Sequence, residues 1–161
     1  MHSLKISSHS EKETINLGRK LVGLLGRGDI VCLFGTLGAG KTVLVKGMAR
    51  GLGIKRNQVI SPSFVLMREY SARVRNKRMP FYHFDLYRLT NIKQILDLGY
   101  EEYLFGQGIS VIEWAERMMG YMPGEFLKIK LEIRGSRQRN LKLSSNSRRY
   151  QKLLHDLESK I

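Results

Sequence analysis

The segment Gly35-Thr36-Leu37-Gly38-Ala39-Gly40-Lys41-Thr42 constrains this chain more than any other. It satisfies the phosphate-loop pattern G-x-x-x-x-G-K-[ST] at every fixed position, and such a loop functions only between a strand and a helix. Both neighbours fit. Residues 29–34, Asp-Ile-Val-Cys-Leu-Phe, form an apolar run with the length of a buried strand, and residues 43–50, Val-Leu-Val-Lys-Gly-Met-Ala-Arg, read as a helix. The residue types follow from the chemistry. Glycines allow a tight turn whose N–H groups point inward at anionic oxygens. The helix N-terminus adds partial positive charge. Lys41 is placed to reach the β- and γ-phosphates of a nucleotide, and the Thr42 hydroxyl to ligate Mg²⁺. A glycine-rich turn that contains Lys-Thr by chance is the alternative, and the flanking elements argue against it.

The rest of the chain builds a frame around this loop. Ser10-Glu-Lys-Glu13 is a capping-box pattern. The stretch behind it places Ile15, Leu17, Leu21, Val22, Leu24 and Leu25 mostly on one helical face, and Gly26 and Gly28 end it. Proline forces the residue before it into an extended conformation, so Ser61-Pro62-Ser63-Phe64 reads as a turn leading into a strand over 64–70. A second strand is expected over 79–85, and the polar, basic residues between the two predict a hairpin. Residues 91–105 read as helix interrupted at Gly99, and residues 108–112 as a short apolar strand. Residues 128–134 alternate strictly, which predicts a half-exposed strand with its charges outward, with 140–144 as its neighbour. From Arg148 onward, Tyr150, Leu153, Leu154, Leu157 and Ile161 recur at helical spacing. No repeat or linker interrupts the pattern. The expectation is one α/β domain over 1–161, a P-loop NTPase-like three-layer sandwich with parallel central strands and antiparallel edge strands.

Composition excludes several classes. The 161 residues suffice for a core without covalent staples. The one cysteine, Cys32, lies in the apolar run before the loop, where a core role is expected rather than a nucleophilic one. Residues 1–14 are polar and lack the apolar stretch of a secretory signal, and no run approaches the length of a membrane span. A reducing, cytoplasmic location with no membrane contact is expected. The charge is unusual: 28 Lys and Arg against 14 Asp and Glu give +14, with a marked excess in residues 128–161 and a second basic stretch at 68–78. This is either a footprint for RNA or an acidic protein, or a solvated face that keeps the chain soluble.

A nucleotide site of this kind needs carboxylates to hold Mg²⁺ and order water. Asp85 and Glu113 end apolar strands, and in an open α/β sheet ligands bind beyond the carboxyl ends of the parallel strands. Glu113 fits if its strand lies beside 29–34, and Asp85 fits as an acid from an edge hairpin. Either could instead cap a following helix or pair with Arg88. His83 alternates with Asp85 and should share its face; a structural hydrogen-bonding role is the alternative. Trp114 could stack on a base or fill the core. Ser61 and Ser63 could sense a γ-phosphate as a switch segment does, or cap a turn.

Taken in order, Gly35–Thr42, Ser61-Pro-Ser-Phe64, His83-Phe-Asp-Leu-Tyr-Arg88 and Ile112-Glu-Trp114 resemble the bacterial TsaE (YjeE) family over roughly residues 10–135. The resemblance implies the ATPase component of the machinery that makes threonylcarbamoyladenosine in tRNA. It implies a small ATPase of weak intrinsic turnover, using ATP and Mg²⁺. Its partners would be the threonylcarbamoyl-transferase subunit and its paralogous scaffold subunit, with tRNA contacted through the complex. By this resemblance Thr36, Leu37, Gly38, Ala39, Gly40, Lys41, Thr42 and Trp114 bind the nucleotide. Lys41, Asp85 and Glu113 serve hydrolysis, Thr42 and Glu113 hold the metal, and Ser61 and Ser63 form the switch. The chain departs from the family pattern at Thr36, where the family usually has Asp, and at Ser63, where it usually has Thr. Nothing is implied for the basic C-terminal part. Two other readings stay open: a small-molecule or nucleoside kinase with the same loop, and a non-catalytic nucleotide-dependent binding module. The guanine-reading Asn-Lys-x-Asp pattern is absent, which favours ATP.

Overall fold

The computed structural model describes residues 2–60, 65–74 and 76–161. Strand β1 (His2–Ser8) is followed by α1 (Glu11–Val22), β2 (Ile30–Phe34) and α2 (Lys41–Gly51). Then come the antiparallel pair β3 (Met67–Val74) and β4 (Lys77–Asp85), the short helices α3 (Lys93–Leu98) and α4 (Tyr100–Leu104), and β5 (Ile109–Glu113). The chain ends with β6 (Leu127–Ile133), β7 (Arg139–Ser145) and α5 (Arg148–Glu158). One sheet takes all seven strands in the order β1-β7-β6-β2-β5-β4-β3. β6, β2, β5 and β4 run parallel, while β3 on one side and β7 and β1 on the other run antiparallel. The fold class is the expected one.

Two apolar layers sandwich the sheet. On one face Val31, Leu33, Val111, Ile129 and Leu143 pack against α1, α2 and α5. On the other, Ile30, Cys32, Ile112 and Phe84 pack against Ile95, Tyr100, Leu104 and Met118. Every residue of β5 is buried, as expected of a central parallel strand covered on both faces. Cys32 is fully buried, and burial pushes its thiol pKa well above the usual range, so it stays an inert core thiol.

Local chemistry explains most boundaries. The Ser10 side chain accepts from Glu13 N at 3.1 Å and caps α1. The Glu13 carboxylate reaches back to His9 N at 2.8 Å, one residue before the position of an ordinary capping box. That bond lowers the Glu13 pKa. α1 and α2 pack unusually close: a Cβ on Gly18 would lie 2.4 Å from Leu44 O, and one on Gly47 would lie 2.3 Å from Ile15 O. This contact sets the N-terminus of α1 beside the start of α2. Gly99 takes a left-handed conformation and separates α3 from α4, as its position predicts.

One strand goes beyond the sequence reading. The polar residues 1–14 include a strand, β1, whose Leu4 and Ser8 face inward and whose backbone pairs with β7. Its alternation is masked by serine on both faces. The β3–β4 hairpin lies at the sheet edge as expected, with β3 outermost and β4 paired in parallel with β5. Asp85 therefore ends an interior strand. Among the described residues no helix is long and apolar enough to cross a membrane.

Candidate nucleotide site

The loop at 35–42 leaves β2 at the carboxyl edge of the sheet and enters α2. Gly40 is left-handed (φ 101°), a conformation that strains any residue with a side chain, and it turns the chain into the helix. No side chain caps α2, so its first N–H groups remain available to an anion at the positive end of the helix dipole. Ala39 is buried beneath the turn, and Leu37 stands at its exposed tip.

Lys41 bends back over its own loop. Its Nζ donates to Gly35 O and, at 2.9 Å, to Thr36 O, and lies 3.9 Å from the centre of the Trp114 ring. Burial lowers its pKa, and the nearby carboxylates of Glu113, Glu116 and Asp85 only partly offset this. A cation held by two carbonyls and an aromatic face can exchange those partners for phosphate oxygens.

The acids converge as the topology requires. Glu113 ends β5 next to β2, and Asp85 ends β4 directly opposite Glu113 in register. The Thr42 hydroxyl donates to the Glu113 carboxylate at 2.8 Å to one oxygen and 3.1 Å to the other. His83 Nε2 lies 2.7 Å from Glu113 Oε1, and both side chains are buried. A carboxylate only accepts, so the imidazole presents its N–H on Nε2. Its Nδ1 is buried without a partner among the described residues. Asp85 Oδ1 accepts from Tyr87 N at 3.1 Å, a local turn that fixes the carboxylate.

Trp114 follows Glu113 with φ 58°, a left-handed conformation rare for a bulky residue and concentrated at functional sites. The turn swings its indole over Lys41 and against Tyr87, ring centres 4.9 Å apart. The half-buried indole also packs against the second apolar layer, so Trp114 touches both the core and the loop lysine.

The residues present fit a nucleotide phosphate and Mg²⁺. Two hard oxygen donors, the Thr42 hydroxyl and the Glu113 carboxylate, sit beside an uncapped helix N-terminus and a lysine. Among the described residues no group of three His, Cys, Asp or Glu side chains could form an all-protein cage. Mg²⁺ suits such a site, because it retains water and takes few protein ligands along with substrate phosphates.

Three features were not legible beforehand. A cleft of about 570 Å³ opens beside the loop between Gly38, Gly40 and Val43, the α1 start at Ser10, and the β6–β7 turn. Arg139, in β7, donates to Gly38 O at 3.1 Å and to the turn carbonyls of Gly135 and Gln138. His83 contacts Glu113, a pairing that depends on the β4–β5 register. Thr36 contributes its carbonyl to Lys41. Ser61 and Ser63 lie outside the described residues.

The comparisons agree with this geometry. The family model "Threonylcarbamoyl adenosine biosynthesis protein TsaE" matches residues 8–141. A Bacillus subtilis (strain 168) protein named tRNA threonylcarbamoyladenosine biosynthesis protein TsaE is 36% identical over 157 residues, covering 98% of this chain and 95% of the relative. A Treponema pallidum (strain Nichols) protein of the same name is 38% identical over 130 residues, 81% of this chain and 92% of the relative. The crystal structure of Bacillus subtilis YdiB superposes with a TM-score of 0.83 at 33% identity, covering 99% of this chain and 96% of that one. On the loop, the acid-ended parallel strands and these matches together, the chain belongs to the TsaE family.

Proposed function

We propose that this chain is an ATP-binding and ATP-hydrolysing subunit in the threonylcarbamoyladenosine modification of tRNA, acting as one domain over its whole length. The observation that carries the hydrolytic reading is the line Thr42–Glu113–His83 beside Lys41 at the uncapped start of α2. The name shared by its relatives supplies the pathway.

The phosphates lie against the loop amides and Lys41, and the nucleoside extends toward the cleft beside Gly38 and Arg139. Water attacks the γ-phosphorus in line. The bond from phosphorus to the bridging oxygen breaks, and ADP leaves with that electron pair. Inward amides and Lys41 stabilise the charge that develops on the phosphoryl oxygens. Mg²⁺, held by Thr42 and Glu113, would neutralise charge shared between the β- and γ-phosphates. His83 keeps Glu113 oriented toward Thr42, and Asp85, fixed by its turn, supports hydrolysis from the neighbouring strand. Trp114 covers Lys41. Ser61 and Ser63 are retained as the switch segment. Arg88 is the candidate arginine finger of this chain and a partner is a second source, so weak turnover alone, raised by the transferase subunit and its paralogous scaffold subunit, is expected.

Phosphate release by the purified chain with ATP and with GTP, in parallel with Lys41→Ala, tests this reading. ATP-dependent release lost in the variant is expected. Transfer of label from ATP to an acceptor would instead favour a kinase. Partner binding that survives in Lys41→Ala after nucleotide binding is abolished would favour a non-catalytic binding module. Capture of the transferase and its paralogue only with ATP present is the expected outcome for the partners.

A further inference from the structure

The helical layers cover the sheet unequally. The second apolar layer lies over β2, β5 and β4, so the face of β6, β7 and β1 turned toward that side carries no helix. Its outward residues form cross-strand rows. Lys5 pairs with Lys142, and Lys142 with Lys130, giving three lysines directly opposite one another on adjacent strands. The next row reads Ser3, Ser144, Lys128, and the one beyond reads Ser7, Asn140, Glu132. Like charges directly opposite on a sheet destabilise it. Glu132 bonds Lys130 and Arg134, each at 2.9 Å, while Lys5 and Lys142 form no ion pair among the described residues. A shallow trough of about 490 Å³ runs over Lys5, Lys130, Arg134 and Lys142.

The side chains on this face select the class of partner. Protein–protein interface cores are depleted in lysine and anchored by aromatic residues, methionine and arginine. This face is rich in lysine, and none of the exposed large apolar residues except Ile133 lies in its strands. Sheets that read single-stranded RNA present aromatic stacking platforms. Here β1, β6 and β7 hold no Phe, Tyr or Trp, and alternation places His2 on the Leu4 face, away from the lysine row. Flexible point charges flanked by hydroxyls suit a regularly spaced array of phosphates. The same β6–β7 hairpin carries Arg139 onto the phosphate loop, so the face adjoins the nucleotide site.

We propose that the uncovered face of β1, β7 and β6 docks the phosphate backbone of a folded RNA through the Lys5–Lys142–Lys130 row. The choice of tRNA as that RNA rests on the pathway reading above, whereas the row's contribution to binding does not depend on ATP hydrolysis.

The test is fluorescence anisotropy of a labelled tRNA transcript with the full chain between 50 and 200 mM salt. Affinity should fall with a log–log salt slope of roughly −3 or steeper. Lys5→Gln/Lys130→Gln/Lys142→Gln should weaken binding at least ~30-fold at low salt and reduce the slope magnitude by roughly three. Arg148→Gln/Lys152→Gln/Lys160→Gln, which removes equal charge from the α5 region, should stay within about threefold. Lys41→Ala should keep tRNA affinity, which separates this proposal from the nucleotide reading. With the repulsion removed, the row variant should also melt higher than the parent at low salt, and tRNA should raise the parent's Tm more than the variant's. Unchanged tRNA binding in the row variant, no tRNA binding by the parent, equal binding of duplex DNA, or tighter binding of polyglutamate would each overturn the proposal.

Discussion

Two buried carboxylates sit at opposite edges of the same parallel strands. Asp29 stands just before β2 and is 1% exposed; Glu113 ends β5 and is 2% exposed. Burial does not distinguish them, but their partners do. Asp29 takes both donors of a two-pronged Arg149 guanidinium, Nη2 at 2.7 Å, and also Gly26 N at 2.7 Å. These bonds hold α5 and the turn before β2, and they raise the Arg149 pKa. They leave Asp29 no capacity for a ligand without breaking the fold. Glu113 accepts instead from a hydroxyl, which can rotate away, and from an imidazole that approaches from the neighbouring strand. A saturated carboxylate is structural; one with an exchangeable partner at the carboxyl edge can take a metal.

Exchanging the two acids for their amides breaks or sharpens this comparison most strongly. Glu113→Gln should lower ATP hydrolysis by about 10²-fold or more, while Tm stays close to that of the parent. Asp29→Asn should do the reverse. It should cost about 2 kcal/mol of stability in denaturant unfolding, because a buried charge pair is broken but Arg149 is half-exposed. Turnover per folded molecule should remain within about twofold.

Next in size is His83. Partners that orient a metal ligand affect metal affinity by about 10–100-fold. His83→Phe should weaken Mg²⁺ activation of hydrolysis by about tenfold, and His83→Gln, which can place an amide N–H toward Glu113, should restore most of it. Equal loss in both variants would make the histidine a packing residue only.

Arg139→Ala should act more weakly. Freeing Gly38 O loosens the loop beside the cleft. KM for ATP should rise roughly three- to tenfold with kcat nearly unchanged, the pattern for loss of uniform binding.

The smallest effect is a pH dependence. Burial lowers the Lys41 pKa in the fold, so the unfolded chain holds the extra proton more firmly. Charged Lys41 therefore costs stability at neutral pH, and the cost fades as pH rises from the lowered value toward the ordinary lysine value of about 10.4. Lys41→Met should melt slightly higher than the parent at pH 7. That difference should shrink as pH rises toward the ordinary lysine value in matched thermal scans.

The sequence foretold some parts of this site and not others, for physical reasons. The loop, the helix after it and the strand ends at Asp85 and Glu113 are encoded by short contiguous patterns. Hydrophobic runs and glycine placement were enough to find them. The contact of His83 with Glu113 joins residues 30 apart through the β4–β5 register. Period-two alternation placed His83 on the face of Asp85 but could not name its partner. Arg139 reaches Gly38 across 101 positions, and the cleft borrows the start of α1, so both require the tertiary packing. β1 was hidden because Ser3, Ser7 and Ser8 occupy both of its faces, and its strand form comes from pairing with β7.

The central claim is that Thr42 and Glu113 form the metal-holding pair of a nucleotide site. Electron paramagnetic titration of Mn²⁺ into the chain with ADP measures this directly, without turnover. The account predicts Mn²⁺ affinity at least about tenfold weaker in Glu113→Gln than in the parent, with ADP still bound. Unchanged Mn²⁺ affinity in the variant would contradict it.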